Sequence, residues 1–138
     1  MIDFTSRFGR RLNRRLRQEK IIWLTTVDSH NRPQPRPVWF HWDGQSVLIF
    51  SRRNTAKLRH IPQNPRVALN FNTDEDGDNV GVLIGEARLL SEPPSSARLN
   101  AYLRKYKEGI KDLDMTVPQF TASFAVPILV APRAMRGY

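Results

Sequence analysis

The sequence contains no cysteine, which removes disulfides, thiolate nucleophiles and cysteine-ligated zinc together. Its three histidines, His30, His41 and His60, are scattered, so no metal site is expected. No apolar run approaches the roughly 20 residues of a bilayer-spanning helix, and the arginine-rich N-terminal segment lacks the continuous apolar core of a signal peptide. A cytoplasmic protein with no membrane partner is expected. Internal repeats and low-complexity tracts are absent as well. Acidic residues are also in short supply, 13 against 22 Lys and Arg, for a net charge of +9. Such an excess attracts polyanions. No helix-turn-helix, zinc-finger or RNA-recognition signature accompanies it, and nucleic acid is not expected as a partner.

The chain has 138 residues, 40% hydrophobic and 25% charged, the balance of a globular protein, and it reads as one domain over 1–138. Phe4, Phe8, Leu12 and Leu16 recur every four residues, predicting a basic amphipathic helix over about 4–18 that lies on the body of the protein. Over the same interval Arg7, Arg10, Arg11, Arg14, Arg15, Arg17 and Lys20 meet only Glu19. Ile21 to Val27 is β-branched and aromatic, a first strand, and the turn-rich 28–33 segment predicts a hairpin to the next.

The central stretch runs from Gln34 to Asn70. Arg36 to Trp42 alternates bulky groups on both sides, predicting one strand covered on both faces. Asp43-Gly44 supplies a turn, and Ser46 to Phe50 a further strand. Ser51, Arg52, Arg53, Asn54, Thr55 and Lys57 then crowd donors where a strand gives way to a helix capped by Asn54 or Thr55 and stopped by Pro62. A helix start offers free N–H groups and the positive end of its dipole, a place for a phosphate; the same loop is also compatible with a solvated turn.

Val67, Leu69 and Phe71 mark a fourth strand. The acidic loop 73–79 lacks the length and closing glutamate of a calcium loop and reads as a solvated hairpin tip. Val80 to Leu90 is a long fifth strand whose Gly81 and Gly85 predict bending or close approach. Pro93 and Pro94 open a helix, and Thr116-Val-Pro-Gln119 is a capping box starting a short one. The tail, with Pro127 and Pro132 among Val126, Ile128 and Val130, predicts an edge strand. Six strands joined by hairpins point to a mainly β, antiparallel barrel or sandwich.

The series Gln34-Pro-Arg-Pro-Val-Trp-Phe, Ile49-Phe-Ser, Lys57-Leu-Arg-His-Ile and Asn64-Pro-Arg-Val-Ala-Leu resembles the pyridoxamine 5′-phosphate oxidase-like split-barrel flavoproteins. Within them it is most similar to the small branch of deazaflavin (coenzyme F420)-dependent enzymes. The resemblance implies a six-stranded antiparallel split β-barrel of the FMN-binding type, acting as a homodimer with cofactor clefts across the interface. It implies that the strand of Arg36, Pro37, Val38 and Trp39 runs beside the cofactor ring, and that Phe50, Ser51 and Lys57 hold the cofactor phosphate. Ala56 stands where pyridoxamine phosphate oxidases carry a phosphate-binding arginine, with Arg52 and Arg53 available to compensate, and their C-terminal substrate pattern is missing. The implied activity is an F420-dependent reductase passing hydride to a small organic acceptor. Alternatives are an FMN-dependent flavoprotein and a non-catalytic flavin or haem carrier. No catalytic side chain is assigned; His41 is a candidate proton donor.

Overall fold

The computed structural model describes residues 2–138. Helix α1 spans Arg7–Gln18, with the Ser6 hydroxyl accepting from the Gly9 N–H at 3.0 Å as its N-cap. It is therefore three residues shorter at its start than the stripe suggested. Strands β1 (Ile22–Val27), β2 (Pro33–Val38), β3 (His41–Trp42) and β4 (Val47–Ser51) follow, then α2 (Ala56–Gln63), β5 (Arg66–Asn70) and β6 (Gly81–Leu89). Helices α3 (Ser96–Lys105), α4 (Lys107–Asp112) and α5 (Val117–Ser123) precede the last strand, β7 (Val126–Gly137).

All seven strands form one antiparallel sheet in the order β2-β1-β5-β6-β7-β4-β3. The two end strands, β2 and β3, are separated in sequence only by Trp39 and Phe40. The sheet must therefore curl until its edges nearly meet, and the barrel is split at that point. The seventh strand, beyond the six expected, comes from this break: the segment read as one strand over Arg36 to Trp42 is divided between the two edges. Nor is β2 covered on both faces, for Pro33, Pro35, Arg36 and Pro37 are exposed.

The break leaves the backbone of Phe40 without a strand partner, and the helices supply one. The Tyr106 hydroxyl accepts from the Phe40 N–H at 2.8 Å and lies 2.8 Å from the Lys20 carbonyl and 3.0 Å from the Phe40 carbonyl. Lys105 Nζ donates to the Phe40 carbonyl at 2.8 Å and sits 3.7 Å from the centroid of its ring. Trp39 stacks flat on Tyr106, 4.5 Å between centroids, and a side chain at Gly109 would come within 2.9 Å of that indole.

Prolines 33, 35 and 37 oppose Val27, Thr25 and Trp23. Proline cannot donate, so the N–H bonds to β1 must come from Gln34, Arg36 and Val38. The outer edge of β2 then carries carbonyls and no N–H, which disfavours pairing with a further strand.

The tail corrects the expectation of an edge strand, since β7 lies between β6 and β4. Its prolines are accommodated locally. Pro132 sits at the register shift opposite Gly85, where Ala131 and Pro132 approach so closely that a Cβ on Gly85 would lie 2.3 Å from the Ala131 oxygen. Pro127 lies just past the β6 pairing, where its carbonyl still takes the Leu90 N–H at 3.0 Å. Pro62 is likewise inside α2 rather than beyond it, and Pro93 and Pro94 precede α3, whose N-cap is Ser95. The capping box is present: Thr116 and Gln119 bond reciprocally.

The barrel interior is filled by Ile22, Leu24, Phe40, Val47, Ile49, Leu69, Leu83, Ile128 and Val130, with Leu12 and Leu16 of α1 plugging one end. Arg15, paired with Glu19 at the end of the same helix, holds α1 there through the Asn72 and Asn79 carbonyls and the Phe71 ring. A second apolar cluster, Tyr102, Tyr106, Ile110 and Phe120 with Trp39, Phe50 and Phe124 against it, forms outside the barrel.

Two outcomes test the clamp on the strand break. Tyr106→Phe should lower unfolding free energy in urea by roughly 1–3 kcal/mol, because the buried Phe40 N–H loses its acceptor. Burial, aided by Lys20, brings the Lys105 amine down to about 8 from 10.5. Between those values the unfolded chain binds more protons, so Lys105 adds stability as pH rises from 8 to 10.5. Lys105→Met should remove that part of the slope in paired melts.

Candidate functional site

Helix α2 begins without a side-chain cap, because the Thr55 hydroxyl is drawn to Ser51 Oγ at 2.7 Å. Its first turn faces β2 across a cleft of about 360 Å³, lined by Leu24, Thr26, Gln34, Arg36, Pro37, Thr55, Ala56, Lys57 and His60. The cleft has two cationic side chains and no carboxylate. Lys57 is half-buried, and desolvation, with the Arg36 guanidinium next, holds its amine below the ordinary 10.5. A like charge and a lost hydration shell both oppose the ammonium, and an incoming anion would relieve both. The open N-terminus of α2 adds N–H groups on the same side. A phosphate group fits this wall by charge and by donors.

A second cleft, about 240 Å³, is lined by Pro37, Trp39, Phe50, Tyr102, Leu113, Phe120 and Phe124. Its walls are aromatic: Phe50 meets Tyr102 edge-on at 4.8 Å, and Phe120 stacks on Phe124 at 4.8 Å. Pro37 lines both clefts, so the cationic wall and the aromatic slot adjoin across one residue of β2.

The residues singled out in the sequence divide between these places. Arg36, Pro37 and Lys57 line the cationic cleft, and Pro37, Trp39 and Phe50 the aromatic one. Val38 turns its side chain to the barrel core. Ser51 is buried and donates to the Arg52 carbonyl at 2.8 Å, so its hydroxyl organises the turn before α2. Arg52 lies over the Phe124 ring at 4.6 Å, and Arg53 donates to the Ala122 carbonyl at 3.3 Å; neither lines the cationic cleft. His41 lines neither cleft. Its Nδ1 accepts from Arg98 Nε at 3.3 Å, and burial, with Arg98 next, lowers its proton affinity.

Sequence reasoning missed Thr26, Gln34 and His60 as lining residues. His60 carried a readable signal, standing one helical turn beyond Lys57 on α2. Thr26 lies 34 positions earlier, on β1, and nothing local connects it to that helix. Among the described residues no group of three or more histidine, cysteine or acidic side chains could hold a metal, and no helix is long and apolar enough to cross a membrane.

Comparison with known proteins bears on the chain as a whole. The chain is 23% identical over 128 residues to pyridoxine/pyridoxamine 5′-phosphate oxidase 2 of Hydrogenovibrio crunogenus, covering 86% of the present chain and 60% of that relative's length. Among solved structures, a Listeria innocua protein provisionally assigned as a pyridoxamine 5′-phosphate oxidase superposes with a TM-score of 0.70 at 24% identity, over 92% of this chain and 94% of that one. An F420 reductase superposes at 0.66 and 24% identity, over 88% and 92%. The haem storage protein HutZ of Vibrio cholerae gives 0.68 at 15% identity, over 96% and 95%. At these identities the superpositions establish the shared fold alone. The sequence profile of the pyridoxamine 5′-phosphate oxidase family, however, matches residues 8–125 and so takes in both halves of the split strand and α2. The chain belongs to the pyridoxamine 5′-phosphate oxidase family.

Proposed function

We propose that the protein is an oxidoreductase that binds a deazaflavin of the coenzyme F420 type by its phosphate and passes hydride to a small, conjugated or activated organic acceptor. The observation that carries this reading is the pair Arg36 and Lys57, two cations sharing a half-buried cleft that has no carboxylate and opens beside an aromatic slot. In this reading Lys57, Arg36 and the first turn of α2 hold the phosphate. Trp39, Phe50, Phe120 and Phe124 receive flat, apolar groups and keep water away from them. The cofactor, when bound, supplies the hydride. The +9 surface favours the deazaflavin, whose oligoglutamate tail makes it a longer polyanion than FMN. No side chain of the chain is needed as a nucleophile.

The active form is proposed to be a homodimer. Thr25, Ala68, Ile84 and Ala134 stand side by side across β1, β5, β6 and β7 on the outer face of the sheet, and Ile84 is 41% exposed. A row of small side chains with an exposed isoleucine at its centre is suited to packing against a second copy.

Fluorescence-quench titration of cofactor-free protein with oxidised F420 and with FMN tests the cofactor. Tighter binding of F420, followed by oxidation of the reduced cofactor with an acceptor, supports the proposal. A preference for FMN moves the protein to the FMN-dependent branch, and a bound cofactor that no acceptor reoxidises makes it a carrier. Lys57→Ala should weaken binding by roughly 1.5–3 kcal/mol with the fold intact. Because the free amine is depressed and a phosphate would raise it, affinity should fall as pH rises through the free-state value, and this slope should vanish in Lys57→Ala. Ile84→Glu should shift the sedimentation coefficient from dimer to monomer.

A further inference from the structure

The cationic cleft contains a polar pair that the cofactor reading above leaves unused. Thr26 is 2% exposed, and the only hydrogen-bond partner of its hydroxyl among the described residues is His60 Nδ1, at 2.8 Å. The pair ties β1 to α2 at the floor of the cleft, and both residues line it. A buried hydroxyl hydrogen left without an acceptor is costly, and its recorded partner is that ring nitrogen. With the hydroxyl as donor to Nδ1, that hydrogen is satisfied and the ring hydrogen stands on Nε2, which has no hydrogen-bond partner among the described residues.

Had the tautomer been the other one, Nε2 would present a lone pair beside an incoming anion and oppose it. With the hydrogen on Nε2, the ring becomes a third donor, alongside Lys57 one helical turn earlier and Arg36 across the cleft. Its direction is set by Thr26 rather than by the ligand, so little rotamer freedom is lost when it is used.

We infer that His60, oriented by the buried Thr26 hydroxyl, donates its Nε2–H to a phosphoryl oxygen of the ligand held by Arg36 and Lys57. Thr26 is on this account a positioning residue and His60 a binding one. The inference rests on the phosphate reading of the cleft, and it assigns to one cleft wall a selectivity that charge alone does not provide: a group bearing several oxygens, a phosphate, is preferred over a single carboxylate.

Two measurements on the full-length chain test it. Two-bond 1H–15N correlation spectra of labelled protein should show His60 protonated at Nε2 with Nδ1 as acceptor, and inorganic phosphate should shift the Nε2 resonance. Titrations should show His60→Ala weakening FMN and F420 about ten-fold, with riboflavin, which has no phosphate, unaffected. Thr26→Val should weaken the phosphorylated ligands in the same direction, and Thr26→Ser should restore them. A ring protonated at Nδ1, or a His60→Ala variant that binds the phosphorylated ligands as the parent does while Lys57→Ala binds them poorly, would overturn the inference and leave the phosphate site standing. Unchanged binding in both variants would remove the site as well.

Discussion

The structure turns on how two helices hold one interrupted strand. A strand passing from one edge of a sheet to the other must leave the ladder somewhere, and the peptide groups at the crossing lose their partners. At Phe40 those partners are the Tyr106 hydroxyl and the Lys105 amine, both delivered by the junction of α3 and α4. A buried N–H and C=O that are met in this way cost little, whereas unmet they would oppose barrel closure by several kcal/mol. The close fit of Gly109 beneath Trp39 and the flat stack of Trp39 on Tyr106 fix the same crossing from its apolar side.

Closure at that point also creates the site. It leaves β2 as an edge, facing α2 across a gap, and turns Trp39 out of the barrel towards the aromatic cluster of α3 and α5. The cationic cleft and the aromatic slot are thus the two sides of one strand end. They differ in how they treat water. Lys57 has lost hydration without gaining a counterion and has the exposed Arg36 guanidinium as a like-charged neighbour, a state that favours an anion, while Phe50, Phe120 and Phe124 offer only dispersion and apolar area.

The alternating prolines of β2 serve the same edge. They remove every outward N–H, so the free edge is acceptor-only and resists uncontrolled strand addition, yet they leave the inward ladder to β1 intact. The row of small or apolar side chains across Thr25, Ala68, Ile84 and Ala134 lies on the outer face of the sheet.

The features determined by the sequence alone were those whose cause lies within a few residues. The α1 stripe, the capping box at Thr116 and Gln119 and the β1–β2 hairpin all follow from near neighbours, and the glycine at 85 marked a close approach without saying what approaches. The resemblance to the family carried Arg36, Pro37 and Lys57 onto cleft walls. The division of Arg36 to Trp42 into two strands did not follow, because the groups that make it affordable, Lys105 and Tyr106, lie some 65 positions downstream. The tail was misplaced for a similar reason: a proline rules out a central strand only where its missing N–H would face a partner, and the bulge opposite Gly85 and the end of β6 decide that in three dimensions. His60 and Thr26 meet only because α2 packs back on β1. Local chemistry set which elements form, and only the closed sheet decided which polar groups face one another, since a hydrogen bond depends on distance in space and not along the chain.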